Sequence, residues 1–197
     1  MRSRLVLVIG AAIALIGCSP KTERLTFQVK VSDLRKPGNS LAKDKRPDDQ
    51  VTITLPGKLL RPPAAVRLVG RDQADWSTPE HAAASVLSAG AAGEVSWIVE
   101  NFVPAERARV GQQFSNPEVV KRTRDYYRSL GKVVITGQAD VHGVTLVFLL
   151  GQDADGDSTL VAAPLSKTAS GWRQTGALAG DDTYDVVWAA LHTGEVR

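Results

Sequence analysis

Two adjacent tyrosines, Tyr126 and Tyr127, precede an acid and an imidazole, Asp140 and His142, by about fifteen residues. A buried phenol can donate a hydrogen bond to a developing oxyanion, and a nearby carboxylate or imidazole can move a proton. These four residues are the candidate pocket. An alternative stays open, in which one tyrosine packs in the core with its hydroxyl at the surface while Asp140 and His142 merely flank a turn. Asp153, Asp155 and Asp157 alternate around Gly156. A calcium loop needs about twelve residues ending in a bidentate carboxylate, but Ser158-Thr159-Leu160 returns at once to strand-like sequence, so a polar hairpin tip is expected. His81, His142 and His192 lie far apart and have no second histidine or cysteine at i+2 to i+4, so no metal site is indicated. There is no nucleophile elbow, phosphate loop or pair of catalytic carboxylates. No cofactor is expected, and the balance points away from an enzyme.

The only cysteine, Cys18, belongs to a different chemistry. Arg2 and Arg4 precede an uncharged apolar run that begins at Leu5, the pattern of an export signal. From Leu5 to Gly17 the run is thirteen residues, whereas about twenty are needed to span the hydrocarbon core as a helix. The four residues Leu15, Ile16, Gly17 and Cys18 resemble the bacterial lipobox. That resemblance implies a signal peptide over residues 1–17, a diacylglyceryl group on Cys18 and a membrane partner reached through lipid. Modification of the sole cysteine leaves no thiol for a disulfide. Ser19 stands where Asp would mark inner-membrane retention, so the implied location is the periplasmic face of the outer membrane of the cell envelope.

Removal of Arg2 and Arg4 changes the charge balance to 22 basic against 21 acidic side chains. A near-neutral mature chain gives nucleic-acid binding little to rest on. Residues 21–73 carry 12 Lys/Arg against 6 Asp/Glu, and residues 74–197 carry 10 against 15. The sequence therefore divides into a lipid-anchored, basic arm over 18–73 and a domain over 74–197. Within the arm, Leu25, Phe27, Val29 and Val31 alternate with polar residues, as do Val51, Ile53 and Leu55, which predicts two strands pairing as a hairpin. The charged stretch from Leu34 to Gln50 reads as a flexible loop. Pro56-Gly57 and Pro62-Pro63 predict breaks before a third strand-like run over 65–70.

Ser77-Thr78-Pro79-Glu80 predicts a capped helix start. Val95, Ile98, Val99 and Phe102 predict a second helix, ended by Pro104, and Asn116-Pro117-Glu118 opens a third that stops at Gly131. The period then becomes strand-like over 132–139, 144–150, 158–165 and 172–178, with turn residues such as His142-Gly143 between the runs. Asp181-Asp182 caps a last helix that ends at Gly194. Helices followed by consecutive antiparallel strands predict an α+β domain with one sheet face covered by helices.

The run from Thr78 to Glu94 resembles the opening of nuclear transport factor 2-like (cystatin-like) domains, and Gly171-Trp172-Arg173 is similar to their final hairpin. The resemblance implies a curved antiparallel sheet wrapped around its helices as a cone, preceded here by a short β-rich extension. It does not carry over ketosteroid isomerase-like chemistry. Val86 stands where the donor tyrosine would be, and no aspartate lies from Phe102 to Asn116 to act as base. The expected function is thus a lipid-anchored, non-enzymatic module that docks an envelope protein. The alternative is a small-ligand binder or an enzyme that uses the interior of the cone.

Overall fold

A computed structural model describes residues 23–152 and 156–197. Seven antiparallel strands form one open, curved sheet in the order β6-β5-β4-β3-β2-β1-β7. The strands are β1 Arg24–Lys30, β2 Gln50–Ala65, β3 Lys132–Val141, β4 Val144–Gln152, β5 Ser158–Thr168, β6 Gly171–Gln174 and β7 Glu195–Val196. Five α-helices accompany them among the described residues: α1 Pro79–Ala92, α2 Val95–Glu100, α3 Arg107–Gln113, α4 Pro117–Ser129 and α5 Asp182–Thr193.

From Arg24 onward the basic arm belongs to the same sheet as the rest of the chain. β2 pairs through Gln50–Pro56 with β1 and through Gly57–Ala65 with β3, so it carries the sheet from one half to the other. The expected breaks at Pro56-Gly57 and Pro62-Pro63 are absent, and no strand covers residues 66–70. Proline cannot donate to a ladder and is tolerated where pairing is interrupted. Pro56 sits at the handover between partners, and Pro62-Pro63 fall inside the irregularity between Leu59 and Ala64. At the handover the backbones come so close that a Cβ on Gly57 would lie 2.6 Å from the Gln138 carbonyl oxygen, and one on Gly137 would lie 2.6 Å from that of Lys58.

Helices cover both faces of the sheet, where the sequence predicted one. Successive residues of a strand point to opposite faces. On β4, Leu146 and Phe148 join a core with Phe27 and Val29 of β1 and Val186 and Val187 of α5. Val147 and Leu149 join a second core with Ala82, Ala83 and Leu87 of α1. An irregularity between Ile135 and Gly137 moves β3 from the second core to the first. The rings of Phe27 and Phe148 meet edge to face, with centroids 6.1 Å apart. In a flat sheet β1 and β4 would stand roughly 14 Å apart, so this contact reflects the curl of the strands around the first core.

Turn and cap chemistry sets the ends of these elements. His142 (φ 53°) and Gly143 (φ 82°) supply the two left-handed residues of a tight hairpin turn. Thr78 caps α1 by accepting from the His81 amide at 3.2 Å, and Asn116 caps α4 by accepting from the Glu118 amide at 3.0 Å. Asp181 does the same for α5 at the Tyr184 amide, at 2.8 Å. The strand predicted over 172–178 stops at Gln174, because Glu106 takes the Thr175 hydroxyl at 2.9 Å and the Gly176 amide at 2.8 Å. β7 was not foreseen. It pairs with Phe27 and Gln28, and beyond it Arg197 and Thr26 exchange amide–carbonyl bonds of 3.0 and 2.8 Å.

The stretch predicted as a flexible loop is fastened to α5. Asp185, 4% exposed, accepts from the Arg35 and Lys36 amides at 3.2 Å each and from the Asn39 side-chain amide at 3.1 Å. Asp182 takes the Ser40 amide at 3.0 Å and the Lys36 ammonium at 2.5 Å. Charge and turn residues that look solvated in sequence are here partners of a helix N-terminus, where carboxylates are favoured.

Removing the Asp185 carboxylate leaves several donors without a partner. Asp185→Ala should lower the unfolding free energy by about 3 kcal/mol in urea titration and open the loop to trypsin at Lys43 to Arg46. Asp182 is held down from 3.8 to about 2, first by its hydrogen bond from Lys36 and then by Ser40. Its contribution is present above 3.8 and is lost as pH falls through about 2. Asp182→Asn should therefore flatten that part of the stability–pH curve, measured by denaturant melts at each pH.

Candidate functional site

A cavity of about 440 Å³ opens between α1 and α4. α1 buries nine residues, whereas α4 buries none. α4 thus rests against α1 along one side and leaves a gap along the other. Ile98, Phe102, Phe114 and Val119 supply apolar wall, and Tyr126 and Tyr127 add a pair of rings 5.3 Å apart in an edge-to-face arrangement. Burial pushes the Tyr127 hydroxyl up to about 12, with a smaller contribution from Tyr126. Both phenols are therefore neutral donors at physiological pH.

The rest of the wall is held rigidly. Asn101 is 1% exposed, accepts from the Trp76 indole at 2.8 Å and donates to the Trp97 carbonyl at 3.0 Å. Its polar groups shape the cavity and are already used. The Gln174 amide donates to the Asn101 carbonyl at 2.7 Å, and the Val103 amide donates to the Gln174 carbonyl at 3.0 Å. These bonds fasten the end of α2 to the outer edge of β6, placing Phe102 and the Gln174 side chain on the cavity wall. Tyr127 fits because residue 90 is glycine. A Cβ there would come within 2.1 Å of the tyrosine ring.

Of the four residues proposed from sequence, two belong to this cavity and two do not. Tyr126 and Tyr127 line it. Asp140 instead stabilises the hairpin turn by accepting from the Gly143 amide at 3.0 Å, beside a separate shallow groove with Pro56 and Lys58. His142 sits in the turn, 3.5 Å from the Asp181 carboxylate. The cause is directional. α4 delivers its tyrosines next to the start of β3, and a strand rising roughly 3.3 Å per residue carries Asp140 roughly 25 Å from that end. Cys18 and the lipobox residues Leu15, Ile16 and Gly17 lie outside the described residues, as do Asp153 and Asp155.

Several features were missed in the sequence. α3, with Gln113 and Phe114 at its end, carries no strong apolar period, and only Pro104 signals its approach. Arg122 on α4 reads as an ordinary surface charge, yet it lines the cavity. Asp75, Ser77 and His81 have the composition of a hydrolytic triad. The Asp75 carboxylate lies 2.5 Å from His81 Nδ1 and accepts from the Ser77 hydroxyl at 2.8 Å. Ser77 also approaches Nδ1, at 3.4 Å. A triad needs the serine on Nε2, opposite the carboxylate, so this cluster is a local polar network that leads into the Thr78 cap of α1. Its bonds, first those from the Ser77 amide and hydroxyl, hold Asp75 below the usual carboxylate range. Among the described residues no group of three or more His, Cys, Asp or Glu could hold a metal ion, and no helix is long and apolar enough to cross a membrane.

The tight seat of Tyr127 gives a diagnostic variant. Glycine to alanine within a helix ordinarily stabilises by about 1 kcal/mol. Gly90→Ala should instead destabilise by about 1–3 kcal/mol through overpacking and alter the tyrosine near-ultraviolet circular dichroism.

No family model matches the chain, and no curated protein or solved structure matches it.

Proposed function

We propose that this chain is an envelope lipoprotein, tethered through lipid on Cys18, whose α+β domain takes up a small, largely apolar molecule in the cavity between α1 and α4. The observation that carries the binding reading is the cavity itself. Its volume of about 440 Å³ lies within the roughly 300–1,000 Å³ of small-molecule sites, and its walls are mostly aromatic and aliphatic. The tether reading rests on Arg2, Arg4, the apolar run and Leu15-Ile16-Gly17-Cys18. With Ser19 following the cysteine, the periplasmic face of the outer membrane is the proposed site of action. The proposed arrangement is nuclear transport factor 2-like for α1–α4 with β3–β6, to which β1, β7 and α5 add a second packed face. Asp140 and His142 lie away from the cavity, so the proposal is uptake of a ligand without a catalytic pair.

A second reading, docking of another envelope protein, is favoured by Leu68. Its residue is 60% exposed, while the next amide, that of Val69, is held by the Ser88 hydroxyl at 3.0 Å. Leu68→Asp should then abolish a crosslink formed in intact envelopes, and an unchanged crosslink would discard this surface.

Two measurements test the main reading. The neutral probe N-phenyl-1-naphthylamine should bind with micromolar affinity and gain fluorescence, and Thr123→Trp, which fills the cavity from a helix that buries no residue, should abolish that gain. No uptake by the parent chain, or equal uptake by the variant, overturns the binding reading. Cys18→Ala should move the protein out of the membrane fraction, and retention there at high salt would overturn the tether.

A further inference from the structure

We infer that the molecule taken up in this cavity is an amphiphile with one anionic end group, held by Arg122. The inference rests on the binding reading above and adds the chemical class of the ligand.

Among the described residues the cavity wall has a single charged side chain, that of Arg122, which is exposed. Arg122 lies on α4, one residue before Thr123 and one helical turn before Tyr126. No described carboxylate lines the same space. Among the described residues, the side chains of Arg122 and of Glu118 one turn before it have no hydrogen bond, ion pair or ring partner, whereas Lys121, Arg124 and Asp125 on the same helix meet one another. Lys121 bonds Asp125 at 2.7 Å, and Arg124 lies 3.8 Å from the same residue. Elsewhere near the cavity Arg107 is spent on the carbonyls of Phe102 and Glu100, at 3.0 and 3.2 Å, and Glu100 is engaged by Arg71 at 3.1 Å. One exposed guanidinium without a protein partner thus stands beside an apolar bed.

That distribution selects a ligand by charge and shape. Guanidinium meets a carboxylate or an acidic phosphate oxygen through two parallel hydrogen bonds. The side chains of Gln113, Thr123 and Gln174 also line the cavity without hydrogen bonds to other described residues, so they can complete the shell of an anionic head. The body of the ligand then lies against Phe102, Phe114 and the two tyrosines. A cationic head would meet Arg122 with like charge. A strongly polyanionic head would bring charges that no other described lining cation balances.

The tail has a definite direction. A second, more enclosed space of about 60 Å³ lies between the helices and the sheet, reaching Leu130, Val133, Leu149 and Val161. Val86, Tyr127 and Gln174 line both spaces. The head at Arg122 therefore leaves the tail pointing towards Tyr127 and the second core.

Three chain-matched probes, dodecanoate, dodecanol and dodecyltrimethylammonium, test this by calorimetric titration of the mature chain below their micelle concentrations. The expected order is dodecanoate tightest, dodecanol weaker and the ammonium weakest. Arg122→Gln should weaken dodecanoate about tenfold and leave dodecanol unchanged. A dodecyl phosphate arm separates the two sources of the anion: preference for it over dodecanoate assigns a lipid phosphate, and the reverse assigns a free fatty acid. If dodecanol and dodecanoate bind equally and Arg122→Gln changes neither, the anionic class is wrong while the binding reading stands. If neither they nor the neutral naphthylamine probe binds, both are wrong.

Discussion

The sheet depends on one strand having two successive partners. β2 leaves β1 at Pro56 and takes up β3 at Gly57, and the exchange is possible only because two backbones approach with nothing between them. Side chains at 57 or 137 would strike carbonyl oxygens of the opposite strand. Relaxing that contact would separate β1 and β7 from β3–β6 and divide the first core, in which Phe27 from one half meets Phe148 from the other. The curl of the sheet, the seat of α5 and the fastening of the 31–49 segment all follow from the handover. A strand buried on both faces, as β4 is at Leu146–Leu149, can then serve two helical layers at once.

The helical side has a graded burial that suits a cavity. α1 is packed on small residues and buried along most of its length, and the end of α2 is stitched to β6 through Asn101 and Gln174. α4 contributes rings and polar groups without burying a residue. Tyr127 in its Gly90 seat and the Arg128 bond to the Ala91 carbonyl at 2.8 Å hold α4 to α1. The wall is therefore buried where α1, α2 and β6 meet and solvent-facing along α4.

Local chemistry was legible in the sequence, and long-range pairing was not. The caps at Thr78, Asn116 and Asp181 and the His142-Gly143 turn are written in adjacent residues, and each forms as read. Tyr126 and Tyr127 were identified because two aromatics on a helix must face something. Asp140 and His142 flank a turn, the alternative that the sequence left open, and sequence distance could not decide it because it does not say which end of a strand a residue occupies. The continuation of β2 through four proline and glycine positions depends on what lies across from it, which no local pattern records. The same holds for Asp185, whose partners lie about 150 positions earlier. Arg122 was invisible because a lining position on α4 cannot be told from a surface one without knowing what α4 packs against.

β1 ties the mechanical fate of the domain to its edge. The segment that leads back towards Cys18 enters the fold at Arg24, and β1 is hydrogen-bonded on one side to β2 and on the other, through Phe27 and Gln28, to β7. Ladder bonds run perpendicular to strands, so a pull along β1 loads them together in shear instead of opening them one at a time. The C-terminal Arg197, bonded to Thr26, shares that load near the point where it enters. A drag on the N-terminal segment would thus be resisted by β2 and by the 195–197 segment at once.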